Sequence, residues 1–429
     1  MTTADGEHVA ALAAEAADRD AADPLAGVRA EFIGAETSLV YFDGNSLGRP
    51  LRRSAERLER FVHEQWGGRL IRGWDESWMS LPFEIGDALG RSVIGAAPGQ
   101  TVVGDSTTVL LYKLIRAAFD TRHAADPARV EIVVDTDNFP TDRYLVEGIA
   151  AERGGRVRWI EVDRASGVTA DGLRAVVGPQ TAVVVLSQIA YRSGFLADAP
   201  TLTRIAHDAG ALILWDLCHS AGSVAIESDA WDFDLAVGCT YKYLNAGPGA
   251  AGYLYVDEPD TLRSPIQGWF GQDQQFAMER PYSPAPGLTR FMSGTPSILV
   301  LAAVEEGVRI TAEAGIAALR EKSVAQTELL IALHDEWLVP LGFELGSPRD
   351  ARRRGSHVAL DHPEAWPICR ALIERADVIP DFRGPNTVRL GVAPLYTRFV
   401  DIYDALARLR DLVERGEQRE VDPTRSRVT

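Results

Sequence analysis

Apolar residues in the middle of this chain come in short, almost unbroken runs: Val130–Asp135, Arg156–Val162, Ala182–Ile189, Ala211–Leu217, Leu235–Thr240 and Ala250–Val256. Between them lie stretches such as PTLTRIAHDA, 200–209, whose apolar positions recur at three and four. Strands that are apolar on both faces and alternate with amphipathic helices predict a mostly parallel sheet covered on both sides. After Pro296 the pattern changes. From Ile298 to about His334 the spacing is helical, as one long helix or two broken near Gly315. Three short β-like runs follow (Gly342–Leu345, His357–Leu360, Val388–Val392), with helices around Ile368–Arg375 and Phe399–Arg415. The prediction is an α/β fold: an N-terminal segment over 1–60, a large domain over 61–300, and a linking helix with a smaller C-terminal α/β domain over 301–429. The N-terminal segment, a helical stretch and then a loop around Tyr41–Pro50, is expected to pack near the small domain.

Composition narrows the function. The formal charge of −17 repels nucleic acid and anionic membrane, and no basic stripe offsets it. The N-terminus is acidic and alanine-rich, unlike a signal peptide, and no apolar run is long enough to span a bilayer. Cys218, Cys239 and Cys369 show neither disulfide nor zinc spacing, so no metal is expected, and the protein reads as cytoplasmic. Of 44 basic residues only Lys113, Lys242 and Lys322 are lysines. A lysine surviving such a bias is a candidate for chemistry that a guanidinium, which does not deprotonate, cannot perform. Lys113 and Lys322, in helical context, read as solvated or packing residues, and Trp66 and Trp74 as core anchors.

Asp216 follows the buried strand run ILW, Ile213–Trp215, at the carboxyl end where open parallel sheets place ligands. Twenty-six residues later a second strand ends at Tyr241-Lys242. An acid that keeps a pyridine nitrogen protonated, with a lysine that bonds to an aldehyde, is what pyridoxal 5'-phosphate (PLP) chemistry requires. Taken alone, Asp216 equally fits a turn or helix cap, Lys242 a surface lysine, and His219 a satisfied core histidine.

The blocks FDGNSLG (42–48), GDSTTV (104–109), NFPTDRY (138–144), DLCH (216–219), CTYKYLNAGPG (239–249), GWFG (268–271), SGTPSIL (293–299) and NTVRLGVAPLY (386–396) run in order along most of the chain. In this order they resemble the kynureninases, in the aminotransferase class V group of fold type I. The resemblance implies that Lys242 carries the coenzyme covalently, that Asp216 partners its ring nitrogen with His219 beside it, and that Asp142 is a second carboxylate there. Phe139 resembles the aromatic stacked on the ring, and Ser187 a serine in contact with the coenzyme. Thr107, Thr108, Tyr241 and Trp269 resemble phosphate-binding positions. Thr107 and Thr108 also fit the cap of a helix starting near Val109, itself a phosphate site. Thr295 would reach the site from a neighbouring subunit, implying a homodimer with shared active sites. Arg389 resembles the bidentate clamp on a substrate α-carboxylate, Ser46 a residue at the mouth, and Trp66 or Trp74 an aryl-pocket wall.

The activity implied is hydrolytic Cβ–Cγ cleavage of L-kynurenine to anthranilate and L-alanine, with Lys242, Tyr241 and Asp216 catalytic. Thr at position 295 resembles members that prefer unsubstituted kynurenine to 3-hydroxykynurenine. Other readings are a transaminase, a cysteine desulfurase, a kynureninase-like enzyme for a modified kynurenine, and a cofactorless binding protein on the same scaffold.

Overall fold

A computed structural model describes residues 3–278, 280–422 and 424. The chain opens with a helix, Thr3–Ala21, and a two-residue strand β1, Val40–Tyr41. The main sheet then uses β2 (Thr101–Val103), β3 (Glu131–Asp135), β4 (Arg156–Ile160), β5 (Thr181–Ser187), β6 (Leu212–Asp216), β7 (Leu235–Cys239) and β8 (Gly252–Val256). Their order is β2-β8-β7-β6-β5-β3-β4, with β3 to β7 mutually parallel and β8 antiparallel to both neighbours. Every residue of β3, β7 and β8 is buried, which is why these strands read as continuous apolar runs. One apolar cluster covers each face: Leu89, Ile213 and Trp215 belong to one, Leu114, Phe119 and Val237 to the other.

Helices Ile298–Ala314 and Ile316–Leu333 are separated at Gly315, whose φ of 78° ends the first helix where the sequence placed a break. The C-terminal part holds β9 (Glu344–Leu345), β10 (His357–Asp361), β11 (Val378–Ile379), β12 (Asp381–Arg383) and β13 (Thr387–Gly391). Four of these make an antiparallel sheet in the order β12-β13-β10-β9, flanked by helices Ala365–Arg375 and Phe399–Glu414. β11 instead pairs with β1 in parallel, and Ala16 of the first helix shares the core of this sheet. The strands β1, β2, β11 and β12, two or three residues each, are too short to show a period; β9, equally short, falls within the expected run Gly342–Leu345.

One expectation needs correction: Trp66 is no core anchor, being 54% exposed. Of the two alternatives for Lys113 and Lys322, solvated or packing, the structure shows the second: both are buried, paired with Asp105 at 2.5 Å and with Asp23 at 2.7 Å.

Candidate active site

The carboxyl ends of the parallel strands converge on one place. Ser187 ends β5 opposite Asp216, which ends β6. The Ser187 hydroxyl donates to Asn138 Oδ1 at 2.8 Å and lies 3.5 Å from Asp216 Oδ2. The other Asp216 oxygen accepts from the Cys218 backbone N–H at 2.8 Å. Lys242, three residues past β7, turns inward. Its Nζ sits 3.3 Å from His219 Nε2 and 5.9 Å from the centroid of the Phe139 ring. Phe139 caps the helix Pro140–Arg153, whose first turn carries the fully buried Asp142.

Electrostatics separates these groups. Burial, then the charge of Asp216, then that of Asp135, raises the Asp142 carboxyl well above the usual carboxylate range. His219 is held neutral, because burial and the nearby charges of Lys242 and Arg389 all oppose its protonation. Burial also raises the Tyr241 phenol, so it stays protonated and able to donate.

The loop Asp43–Gly48 lies directly on the Lys242 segment: Gly48 N–H donates to the Tyr241 carbonyl at 2.8 Å. A Cβ at Gly48 would meet the Lys242 carbonyl oxygen at 2.4 Å, so only glycine permits this approach. The same loop presents Asn45 and Ser46 to Arg389. Arg389 Nη2 donates to Ser46 Oγ at 2.7 Å and to Asp381, which lies opposite Arg389 across β12–β13, and Nη1 donates to the Tyr191 carbonyl. Asn45, with its amide oxygen facing the guanidinium, accepts from Nε at 3.0 Å and Nη2 at 3.2 Å. Arg389 is therefore neither a surface ion pair nor a free fork: it is fully buried, and one Nη1 N–H is left over.

A PLP molecule fits what is present. Asn138 Nδ2 and Asp142 Oδ2 are buried without a hydrogen-bond partner beside the Lys242 pocket. The helix Thr107–Ala125 begins with no side-chain cap from Ser106, leaving its first N–H groups available to a phosphate. Residues that would hold the coenzyme are thus Lys242, Asp216, Asp142, His219, Phe139, Ser187, Thr107, Thr108 and Tyr241.

Trp269, Thr295 and Trp74 are elsewhere. They line a groove of about 510 Å³ with Ile71, Met79 and Phe276. The ring contacts of Trp269 are with Phe270 and Phe276, and those of Trp74 with Trp78 and Phe270. Within one chain Trp74 is therefore not placed beside Arg389. The sequence reading also missed Asp135, Asn138, Tyr191, His357, Asp381 and Arg383. Only the last pair left a trace, as opposite charges two residues apart in PDFRGP.

The family model for aminotransferase class V matches residues 91–363, and the model for the kynureninase C-terminal domain matches residues 319–409. A kynureninase of Pseudomonas fluorescens is 40% identical over 402 residues, covering 92% of this chain and 94% of its own. The chain belongs to the kynureninase family. A second family relative, the kynureninase of Burkholderia pseudomallei strain K96243, is 39% identical over 96% of this chain and 98% of its own. Among solved structures, the apo cysteine desulfurase of Thermococcus onnurineus NA1 superposes with a TM-score of 0.78 at 18% identity, covering 90% of this chain and 98% of its own. The cystine C–S lyase C-DES, in complex with cysteine persulfide, gives 0.77 at 20% identity over 89% and 99%. These likenesses establish the class V PLP fold type I architecture for a kynureninase-family chain. Among the described residues no helix is long and apolar enough to cross a membrane.

Proposed function

We propose that this chain hydrolyses the Cβ–Cγ bond of L-kynurenine to give anthranilate and L-alanine, using PLP held at Lys242. The observation that carries the reading is the inward-facing Lys242 amine, beside His219 and over Phe139, with Asp216 and Asp142 buried at the neighbouring strand and helix ends. The coenzyme, when bound, supplies an electron sink for charge developing on the substrate carbons. The chain's own groups do the rest. Asp216 holds a proton at the ring nitrogen, with Asp142 as a second carboxyl beside it, Phe139 packs on the ring face, and Ser187 and His219 fix its edge. Thr107, Thr108 and Tyr241 bind the phosphate. Lys242 removes the substrate Cα proton, Arg389 and Ser46 orient the α-carboxylate, and Tyr241 returns a proton to the leaving alanine fragment.

The exposed positions of Trp269 and Thr295, with half-buried Trp74 in the same groove, support a homodimer in which this groove completes the partner's site and walls its aryl pocket. Within that reading, Thr295 favours kynurenine over the 3-hydroxy form, and residues 1–60, 61–300 and 301–429 act as mouth, coenzyme domain and closing domain. A cytoplasmic setting suits three free, buried cysteines. Their burial also speaks against a desulfurase, which needs an accessible thiolate.

The test is incubation with L-kynurenine, following anthranilate fluorescence and alanine together, without added keto acid. Equimolar products are expected from the wild type. In Lys242→Ala, coenzyme stays bound through its phosphate while turnover falls by about a thousandfold or more. Steady turnover by that variant, or alanine formation that requires a keto acid, would overturn the assignment.

A further inference from the structure

Arg389 lacks the free fork that bidentate carboxylate binding needs. Its Nε and both Nη2 hydrogens go to Asn45, Ser46 and Asp381, and one Nη1 hydrogen goes to the Tyr191 carbonyl. A second guanidinium stands beside it. Arg383 Nη2 lies 2.9 Å from the same Asp381 oxygen and 3.3 Å from the same Ser46 hydroxyl. Unlike Arg389, Arg383 is one-third exposed, at 32%. Its Nε is buried with no acceptor, and its Nη1 donates to nothing among the described residues. Asp381 thus ties two cations together through one oxygen, and Ser46 bridges them from the loop. The charges of Lys242, Arg389 and Arg383 all bear on the two neutral rings His219 and His357, whose centroids are 5.7 Å apart. A region where three cations converge suits an anion.

We propose that Arg383 is a second substrate-binding arginine, so that the α-carboxylate of the amino acid is shared between the remaining Nη1 N–H of Arg389 and the unoccupied donors of Arg383. This rests on the reading that the pocket takes an amino acid. In this arrangement Arg389 is the buried post, fixed by Asp381, Asn45 and Tyr191. Arg383, at the edge, can swing onto the ligand and release it. If Arg383 were only a counter-charge for Asp381, its loss would weaken every ligand alike.

The experiment titrates the PLP-loaded protein with L-alanine and, separately, with L-alaninamide, following the visible absorbance of the bound coenzyme. Arg383→Gln is expected to weaken L-alanine by about tenfold or more, the usual effect of losing a hydrogen bond to a charged group. L-Alaninamide, which has no carboxylate, should change by less than about twofold, because the amine end does not meet Arg383. Arg383→Lys should recover part of the L-alanine affinity, since the charge returns without the fork. If the Gln variant fails to fold, as its melting temperature shows, the Lys variant is read in its place, with a smaller loss confined to L-alanine. Equal losses for both ligands, or no loss for L-alanine, would overturn the proposal. Turnover of L-kynurenine by the wild type is scored separately. Its absence would defeat the proposed reaction while leaving the carboxylate discrimination to judge Arg383.

Discussion

At Asp135 a single carboxyl is caught between burial and charge. It is 6% exposed, accepts the Asp137 N–H at 3.1 Å, and faces the charge of Asp137 with Arg143 as the opposing cation. Burial first, and Asp137 second, push its pKa up to about 7. A carboxyl whose folded pKa lies above its unfolded value stabilises the fold fully only below the unfolded value. That contribution is lost as pH rises through the folded pKa, here between about 4 and 7. Asp43, pushed up to about 6 by burial and by Asp381, acts in the same direction. The full displacement at Asp135 corresponds to ~2–4 kcal/mol. Asp135→Asn should therefore melt at a higher temperature than the wild type at pH 8 and lose less stability between pH 5 and pH 8. Parallel melting-temperature profiles for the two proteins would show that Asp135 is not the strained group.

Among the elements, the legible ones were those long enough to show a period. The five parallel strands lie within about two residues of their predicted runs. β3, β5, β6 and β7 read as continuous runs because they are buried on both faces, whereas edge strand β4 alternates exposed arginines with apolar residues. The bond between Asp381 and Arg389 was hidden for the opposite reason. β12 is three residues long, and only its pairing with β13 sets the two charges face to face. The turn before the helix Thr107–Ala125 was hidden too. Asp105 adopts a left-handed φ of 50°, held by Lys113 at 2.5 Å and Ser293 at 3.2 Å, while Lys113 also donates to the Phe291 carbonyl. This clamp sets where the helix N-terminus points, and so where a phosphate would sit. The two ends of the pair are not equivalent, since the Lys113 side chain is 1% exposed and that of Asp105 34%. Asp105→Ala strands a buried ammonium and should cost ~3–5 kcal/mol, whereas Lys113→Met leaves a carboxylate that water can reach and should cost about half as much. Denaturant midpoints of the two variants test that asymmetry, and equal costs would count against it. Both variants should bind PLP more weakly, as equilibrium dialysis would show.

For the whole molecule, the decisive feature is an apolar surface left uncovered by the described residues of its own chain. Ile71 is 77% exposed and Phe276 66%, and both line the groove that holds Trp74, Trp269 and Thr295. An exposed apolar patch of this kind marks an interaction surface. The sequence offered Trp269 and Thr295 as site residues only through family resemblance, because no periodicity or spacing within one chain brings them to Lys242. A second copy does so on the proposed reading, and it also explains why Trp66 and Ile71 stay uncovered in a segment that looked like core. The consequence can be measured in one protein. Ile71→Glu combined with Phe276→Glu places two charges in the groove, at positions exposed in the single chain, so each chain should still fold. Removing two such anchors should weaken self-association by at least about a hundredfold. Sedimentation should then show half the wild-type mass, and PLP affinity should fall with it, because each pocket would lose the Trp269 and Thr295 of the other copy. A variant that kept the wild-type mass, or became monomeric with undiminished PLP affinity, would show that this face does not complete the site.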